Sequence, residues 1–300
     1  MDSSTQRLTW KRWIAFAILA VFAAAFLLPL AWMVSTSIKP ESQAASEKLR
    51  LLPDPPSIAP ETAHDNYIGR YDEQGNLVQP GVLTDETIDF PLYLRNTLVV
   101  ASLSVVGMVL SSAIVAYGFA RIEFRGRGLL FALMLATMMI PFPVLMAPLF
   151  IMYSKIGWIG TLKPLWVPAW FGTAFNIFLL RQFYRGIPRE LDEAARIDGC
   201  GHWGIFWRVI VPLSKPALAV VALFHFLFVW NDFLGPLIFV THRDQFTLAL
   251  GLQLYQSKAG NTPWNLLMAA STMVAAPVLV LFLLTQRTLL HGIAGEGIKG

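Results

Sequence analysis

Six long apolar runs partition this sequence, at about residues 14–38, 97–120, 129–152, 165–180, 217–240 and 266–285. A helix of about 20 such residues crosses a hydrocarbon core ~30 Å thick, and inside that core the backbone must satisfy its own N–H and C=O groups. The chain is therefore expected to be an all-α polytopic membrane protein with six transmembrane helices. The third run holds Pro141 and Pro143 and the fourth is short, which leaves their bounds the least fixed. The first run follows Arg7, Lys11 and Arg12 and contains Ala23-Ala24-Ala25, as a secretory signal peptide can. A cleavable apolar region is about 7–15 residues, so this longer one reads as an uncleaved span.

Composition agrees with that reading. Of the 300 residues 55% are hydrophobic and 14% charged, against about 25% charged in a soluble domain. The formal charge of +4 comes from loops flanking the apolar runs, and no basic run suggests a nucleic-acid partner. Membrane lipid is the surrounding partner instead. Cys200 is the single cysteine, so it forms no internal disulfide, and it has no companion at metal-ligand spacing.

The basic residues also set an expected orientation. With the amino terminus inside, the inner segments hold Arg7, Lys11, Arg12, Arg121, Arg125, Arg127, Arg181, Arg185, Arg189, Arg196, Arg208, Lys215, Arg287 and Lys299. The short outer loops hold only Lys155, Lys163, Arg243 and Lys258, so both termini are expected to be cytoplasmic. The first outer segment, from Lys39 to Arg95, is long, acidic on balance and broken by Pro53, Pro55, Pro56, Pro60 and Pro80. Gln74-Gly75-Asn76 can turn a small hairpin there, which makes the segment either an external cap or a loose linker. In the second run, Ser104, Gly107, Ser111, Ser112, Ala116 and Gly118 supply small residues for close helix packing.

Catalytic patterns are missing. Gly199, Gly201 and Gly204, and again Gly295, Gly297 and Gly300, match Gly-x-Gly-x-x-Gly, yet neither place offers the βαβ setting that a dinucleotide site needs. No P-loop occurs, so any ATP hydrolysis belongs to another subunit. His64, His202, His225, His242 and His291 are scattered, with no His-Glu-x-x-His helix and no Gly-x-Ser-x-Gly elbow. The chain is thus not expected to be an enzyme, nor to hold a metal or cofactor. One carboxylate falls deep in a run: Asp232, in Phe228-Val229-Trp230-Asn231-Asp232-Phe233. A carboxylate at that depth should face the bundle interior or a wet cavity. Asn231, Asp232 and Trp230 are therefore candidates for lining a translocation pathway. A polar clamp between helices is the equal alternative for Asp232, and aromatic packing for Trp230.

Between the fourth and fifth runs lies a charged segment, residues 181–216, with helix punctuation of its own. Pro188 suits a first helical position, Glu190, Asp192 and Glu193 oppose the helix dipole, and Gly199 supplies the stop. Ile187, Leu191, Ala194 and Ala195 recur at three- and four-residue steps, giving an apolar stripe that is flat at the alanines.

Glu193-Ala194-Ala195, then Gly199 after three intervening residues, then Val209-Ile210-Val211-Pro212 after nine more, resembles the cytoplasmic-loop signature of binding-protein-dependent ABC importer permeases, with conservative changes near the closing proline. Phe90-Pro91-Leu92-Tyr93-Leu94-Arg95-Asn96-Thr97, the Trp230-Asn231-Asp232-Phe233 run and the closing Gly295–Gly300 stretch are similar to the carbohydrate-importer branch, the maltose-type inner subunits in particular. The long segment after the first span departs from that pattern. The resemblance implies half of a heterodimeric pore for a carbohydrate or polyol, in the inner membrane, working with a second permease subunit, a cytoplasmic pair of ATP-binding subunits and an external solute-binding protein. It makes the loop helix a coupling helix, with Glu193, Ala194, Ala195, Asp198, Gly199 and Pro212 as coupling residues. The chain then divides into 1–38 (terminus and first span), 39–90 (external loop), 91–287 (permease core) and 288–300 (tail). A channel or ion-coupled carrier without an ATPase is the competing class, and beyond Asp232 and His225 it has little intramembrane charge to rest on. Nothing in the residues names the solute.

Overall fold

The structure, a computed structural model, describes residues 3–46, 50–256 and 262–294. The Gly295–Gly300 match lies outside them. The described chain is mostly helical, and α1 (Ser3–Ser37) opens it. Its stretch Arg12–Ser37 is long and apolar enough to cross a membrane, as are Phe90–Arg121 and Trp264–Gln286. Two further pairs of helices qualify only when joined across a bend: Arg127–Met139 with Phe142–Lys155, at 98°, and His202–Leu213 with Lys215–Trp230, at 77°. Three single helices and two broken pairs thus stand where six unbroken spans were expected.

Each break has a local cause. Pro141 lacks an N–H and drives the preceding Ile140 into an extended conformation, so the predicted third span becomes α4 (Arg127–Ala136) and α5 (Phe142–Lys155). The predicted fourth run holds a 3₁₀ turn at Val167–Phe171 and Gly172 at φ +74° before α6 (Ala174–Gly186) begins. At 13 residues, α6 is about 20 Å long and does not span the core alone. The predicted fifth run is α8 (Lys215–Trp230), a three-residue break, and α9 (Leu234–Phe239).

The chain forms two compact units, residues 1–90 with 252–276 and residues 91–251 with 277–300. In the first, the described part of the predicted external segment carries regular structure. It contains α2 (Ala59–Tyr67) and a two-stranded antiparallel hairpin of β1 (Gly69–Tyr71) and β2 (Leu77–Pro80), a small departure from an all-α class. The hairpin turn is pinned by Asp72, whose Oδ1 accepts from the N–H of Gln74 at 2.9 Å and of Asn76 at 2.8 Å. Asn66 ties α2 down, donating from Nδ2 to the carbonyls of Ser37 and Lys39 at 2.8 Å each, while its Oδ1 accepts from Asn265 at 2.8 Å.

The second unit is built on α3 (Phe90–Arg121). Three of its small residues, Ser104, Ser112 and Ala116, are fully buried as their spacing predicts, whereas a Cβ on Gly118 would meet open space. A Cβ on Gly107 would lie 2.4 Å from the ring of Trp170, so only glycine admits that indole. Around Met108, Ala116 and Tyr117 pack Leu180 and Tyr184 from α6 and Ile205, Phe206, Ile210 and Val221 beyond it. This core carries the loop helix described next.

Candidate functional site

The charged segment folds into α7 (Glu190–Ile197). Helix starts two residues after Pro188, with Arg189 as N-cap, so the proline sets the approach rather than the first turn. The three acids do occupy that first turn, where they oppose the dipole. The end is a Schellman motif: Cys200 N–H donates to the Ala195 carbonyl at 2.9 Å and Gly199 N–H to Arg196 at 3.0 Å. Gly199 sits at φ +81° with open space around it, so the glycine is required by its dihedral and not by crowding.

Burial on α7 differs from the predicted stripe. Ile187 and Ala195 are buried in the core, whereas Leu191 and Ala194 are exposed. Successive helical residues are about 100° apart, so the two alanines face different ways and do not form one flat surface. The buried face instead pairs Ala195 with Asp192. The outward face carries Glu193, Ala194 and Ile197, the last 87% exposed, and continues to Asp198 and Gly199.

Asp192 is held by Arg121, the last residue of α3, through an Nη1···Oδ2 contact of 3.4 Å. The same guanidinium donates from Nη2 to the carbonyls of Tyr184 at 2.6 Å and Ile187 at 2.7 Å. Those carbonyls end α6, where a helix leaves acceptors unsatisfied and favours a cation. One buried arginine therefore ties together α3, the end of α6 and α7. The sequence marked Arg121 only as one of many orienting basic residues, and no local spacing links it to Asp192.

From α7 the chain runs through His202–Leu213, π-wound at Phe206–Ile210, to the 77° bend. Pro212 lies on that run, exposed, and Ser214 sits at the bend with its Oγ donating to the Ile210 carbonyl at 2.7 Å. Lys215 and Pro216 then open α8.

The other candidate cluster stands at the far end of α8. Trp230 is buried and stacks on Phe226 with centroids 5.2 Å apart, which is packing. Asn231 and Asp232 lie in the break after the helix, not within a span. Asn231 Nδ2 donates back to the Leu227 carbonyl at 2.8 Å, and Asp232 Oδ1 accepts from the N–H of Gly235 at 3.0 Å. Both hydrogen bonds are local, tying the residues of the break to the helix before it and the helix after it. Among the described residues no cluster of His, Cys, Asp or Glu could hold a metal ion.

Comparison with known proteins adds a family. Residues 108–291 match the model of the binding-protein-dependent transport system inner membrane component. The chain is 34% identical to the arabinooligosaccharides transport system permease protein of Halalkalibacterium halodurans, over 98% of this chain and 97% of the relative. It is 36% identical to the trehalose/maltose transport system permease protein of Thermococcus litoralis, over 73% of this chain and 79% of the relative. In fold it is similar to a chain from the crystal structure of a bacterial ABC transporter involved in the import of the acidic polysaccharide alginate. That match has a TM-score of 0.73 and 22% identity and covers 96% of this chain and 98% of the other.

Proposed function

We propose how this chain works from the premise that it belongs to the binding-protein-dependent transport system inner membrane component family. It is a multi-pass inner-membrane permease subunit of an ABC importer, a transport component and not an enzyme. Its relatives carry oligosaccharides by name, which supports a carbohydrate or related polyol as the solute. The chain forms half of the pathway beside a second permease subunit. An external binding protein delivers the solute and a pair of ATP-binding subunits supplies the work.

In this reading α7 is the coupling helix. The observation that carries it is the division of the helix into two faces: Asp192 and Ala195 are locked into the bundle, and Glu193, Ala194 and Ile197 are left outside. An ATPase docked on the outer face would push a body that Arg121 has already joined to α3 and to the end of α6. Gly199 lets the loop turn back sharply, and the bend between Leu213 and Lys215 passes the movement into α8. The segment from Lys163 to Gly186, a broken helix, makes the sixth crossing.

The basic residues place both termini in the cytoplasm and residues 39–90 outside. Cysteine labelling on a background lacking Cys200 tests this. Gln74 and Arg125, both exposed, are the positions to use. Gln74→Cys should react in intact cells and Arg125→Cys only after permeabilisation. A mild-detergent pull-down should recover an ATPase and a second permease. Recovery of the chain alone, with transport intact, would support an ATPase-independent carrier.

A further inference from the structure

Beside the Arg121 clamp is an open cavity of about 230 Å³ lined by Arg121, Arg127, Arg181, Arg185 and Arg189, with Phe119 and Ala120 at its floor. Arg121 is matched by Asp192 and Arg189 by Glu123, 3.8 Å away. Among the described residues no carboxylate pairs with Arg127, Arg181 or Arg185. Two of these three are nonetheless held in place. Arg181 donates from Nε to the Phe119 carbonyl at 3.3 Å and lies 3.9 Å over the Phe131 ring, and Arg127 donates from Nη1 to the Ile122 carbonyl at 3.2 Å. A surplus of fixed guanidinium groups around one cavity is a site for a multivalent oxyanion, because each planar fork can engage phosphate oxygens in pairs.

We infer that this cavity binds the phosphate headgroup of an anionic phospholipid. The choice of lipid over free phosphate rests on what adjoins the arginines. Arg127 opens α4, and the next turns of that helix expose Leu129, Leu130 and Leu133, at 67%, 50% and 55%. An acyl chain lying along those leucines leaves its headgroup at the arginines, and basic pockets between membrane helices are where such headgroups are held. The expected ligand has a net negative phosphodiester, as in phosphatidylglycerol. A zwitterionic choline headgroup adds a cation that the cavity repels.

The full chain, delipidated in detergent, can be titrated by native mass spectrometry with phosphatidylglycerol, phosphatidylcholine and inorganic phosphate. Phosphatidylglycerol should be retained over phosphatidylcholine by at least about tenfold, since two arginine contacts of the size usual at an anionic lipid surface exceed one tenfold step. Arg181→Gln with Arg185→Gln should abolish that preference, and Arg181→Lys with Arg185→Lys should keep most of it. If the glutamine pair unfolds, the exposed Arg185→Gln alone should still weaken the preference. Retention unchanged in the folded glutamine variants would overturn the site. Inorganic phosphate binding as well as the lipid would make it a free-anion site and overturn the lipid. Loss of the lipid from the wild-type chain once its partner subunits assemble would assign the arginines to a protein acid instead.

Discussion

Two of the buried polar junctions among the described residues, one in each compact unit, are built on opposite principles. The first is neutral: Asn66 accepts from Asn265 and donates to the carbonyls of Ser37 and Lys39, so amides and backbone carbonyls do all the work. The second is charged: Arg121 faces Asp192 and donates to the carbonyls of Tyr184 and Ile187. Losing one member of a neutral junction strands a polar group, at about 1–3 kcal/mol. Losing one member of a charged junction strands an ion, at about 3–5 kcal/mol. A segment that must only stay folded is served by the first kind. On the proposed coupling role of α7, the second kind suits a segment that must transmit force without slipping.

The largest effect should therefore come from Asp192→Leu. It leaves Arg121 buried without its counter-ion, and thermal unfolding in detergent should show a loss of about 3–5 kcal/mol. Arg121→Lys should also fall well short of wild type, because one ammonium cannot reach a carboxylate and two carbonyls in the geometry of a guanidinium fork. Equal stability of the lysine variant would mean that charge alone matters there. Asn265→Leu should cost less, about 1–3 kcal/mol. Combined with Asn66→Leu, it should cost less than the sum of the two, since each removes the other's partner. Full additivity would show the amides act independently and weaken the contrast.

On α7 itself, position and not residue type decides the outcome. Ala195→Trp pushes a large side chain into the core and should destabilise the chain by about 1–3 kcal/mol. Ala194→Trp should unfold nothing and instead lower the amount of ATPase recovered per permease. The smallest effect lies in the hairpin. The Asn76 side-chain and backbone hydrogen bonds hold the Asp72 carboxyl below its ordinary range. A depressed folded-state pKa contributes stability that is present above the unfolded value, about 3.9, and is lost as pH falls through the folded value. Protection of the Gln74 and Asn76 amides, taken against the intrinsic exchange rate at each pH, should fall under acid, and Asp72→Asn should remove that acid dependence.

How much of this was legible differs sharply between elements. The acids in the first turn of α7 and its glycine stop were, because both act within a turn or two and need no tertiary context, although the helix starts two residues past Pro188. So was the packing role of Ser104, Gly107, Ser112 and Ala116, although Trp170, the ring that Gly107 admits, was not. Pro141 marked the third run's bounds as the least fixed, but the 98° break there was not expected. The break at Asn231 and Asp232 stayed hidden because Leu234–Phe239 is apolar and hydropathy runs through a three-residue interruption unchanged. The stripe on α7 was misassigned for a related reason. Periodicity ranks residues by polarity, and here a carboxylate sits on the buried face because a distant arginine meets it. Pairing of that kind is a property of the fold, invisible in the spacing of either residue's neighbours.

The proposed route for force runs through α7 and into the bundle by way of Arg121 and Asp192. It is tested most directly by Asp192→Asn, which keeps size and an acceptor oxygen but removes the charge. Solute-stimulated ATP hydrolysis should be measured in reconstituted vesicles holding the permease, its partner subunits and the binding protein, together with the amount of ATPase bound per permease. That route requires normal ATPase recruitment, since the outer face of α7 is untouched, with stimulation lost. Normal recruitment with wild-type stimulation would contradict it.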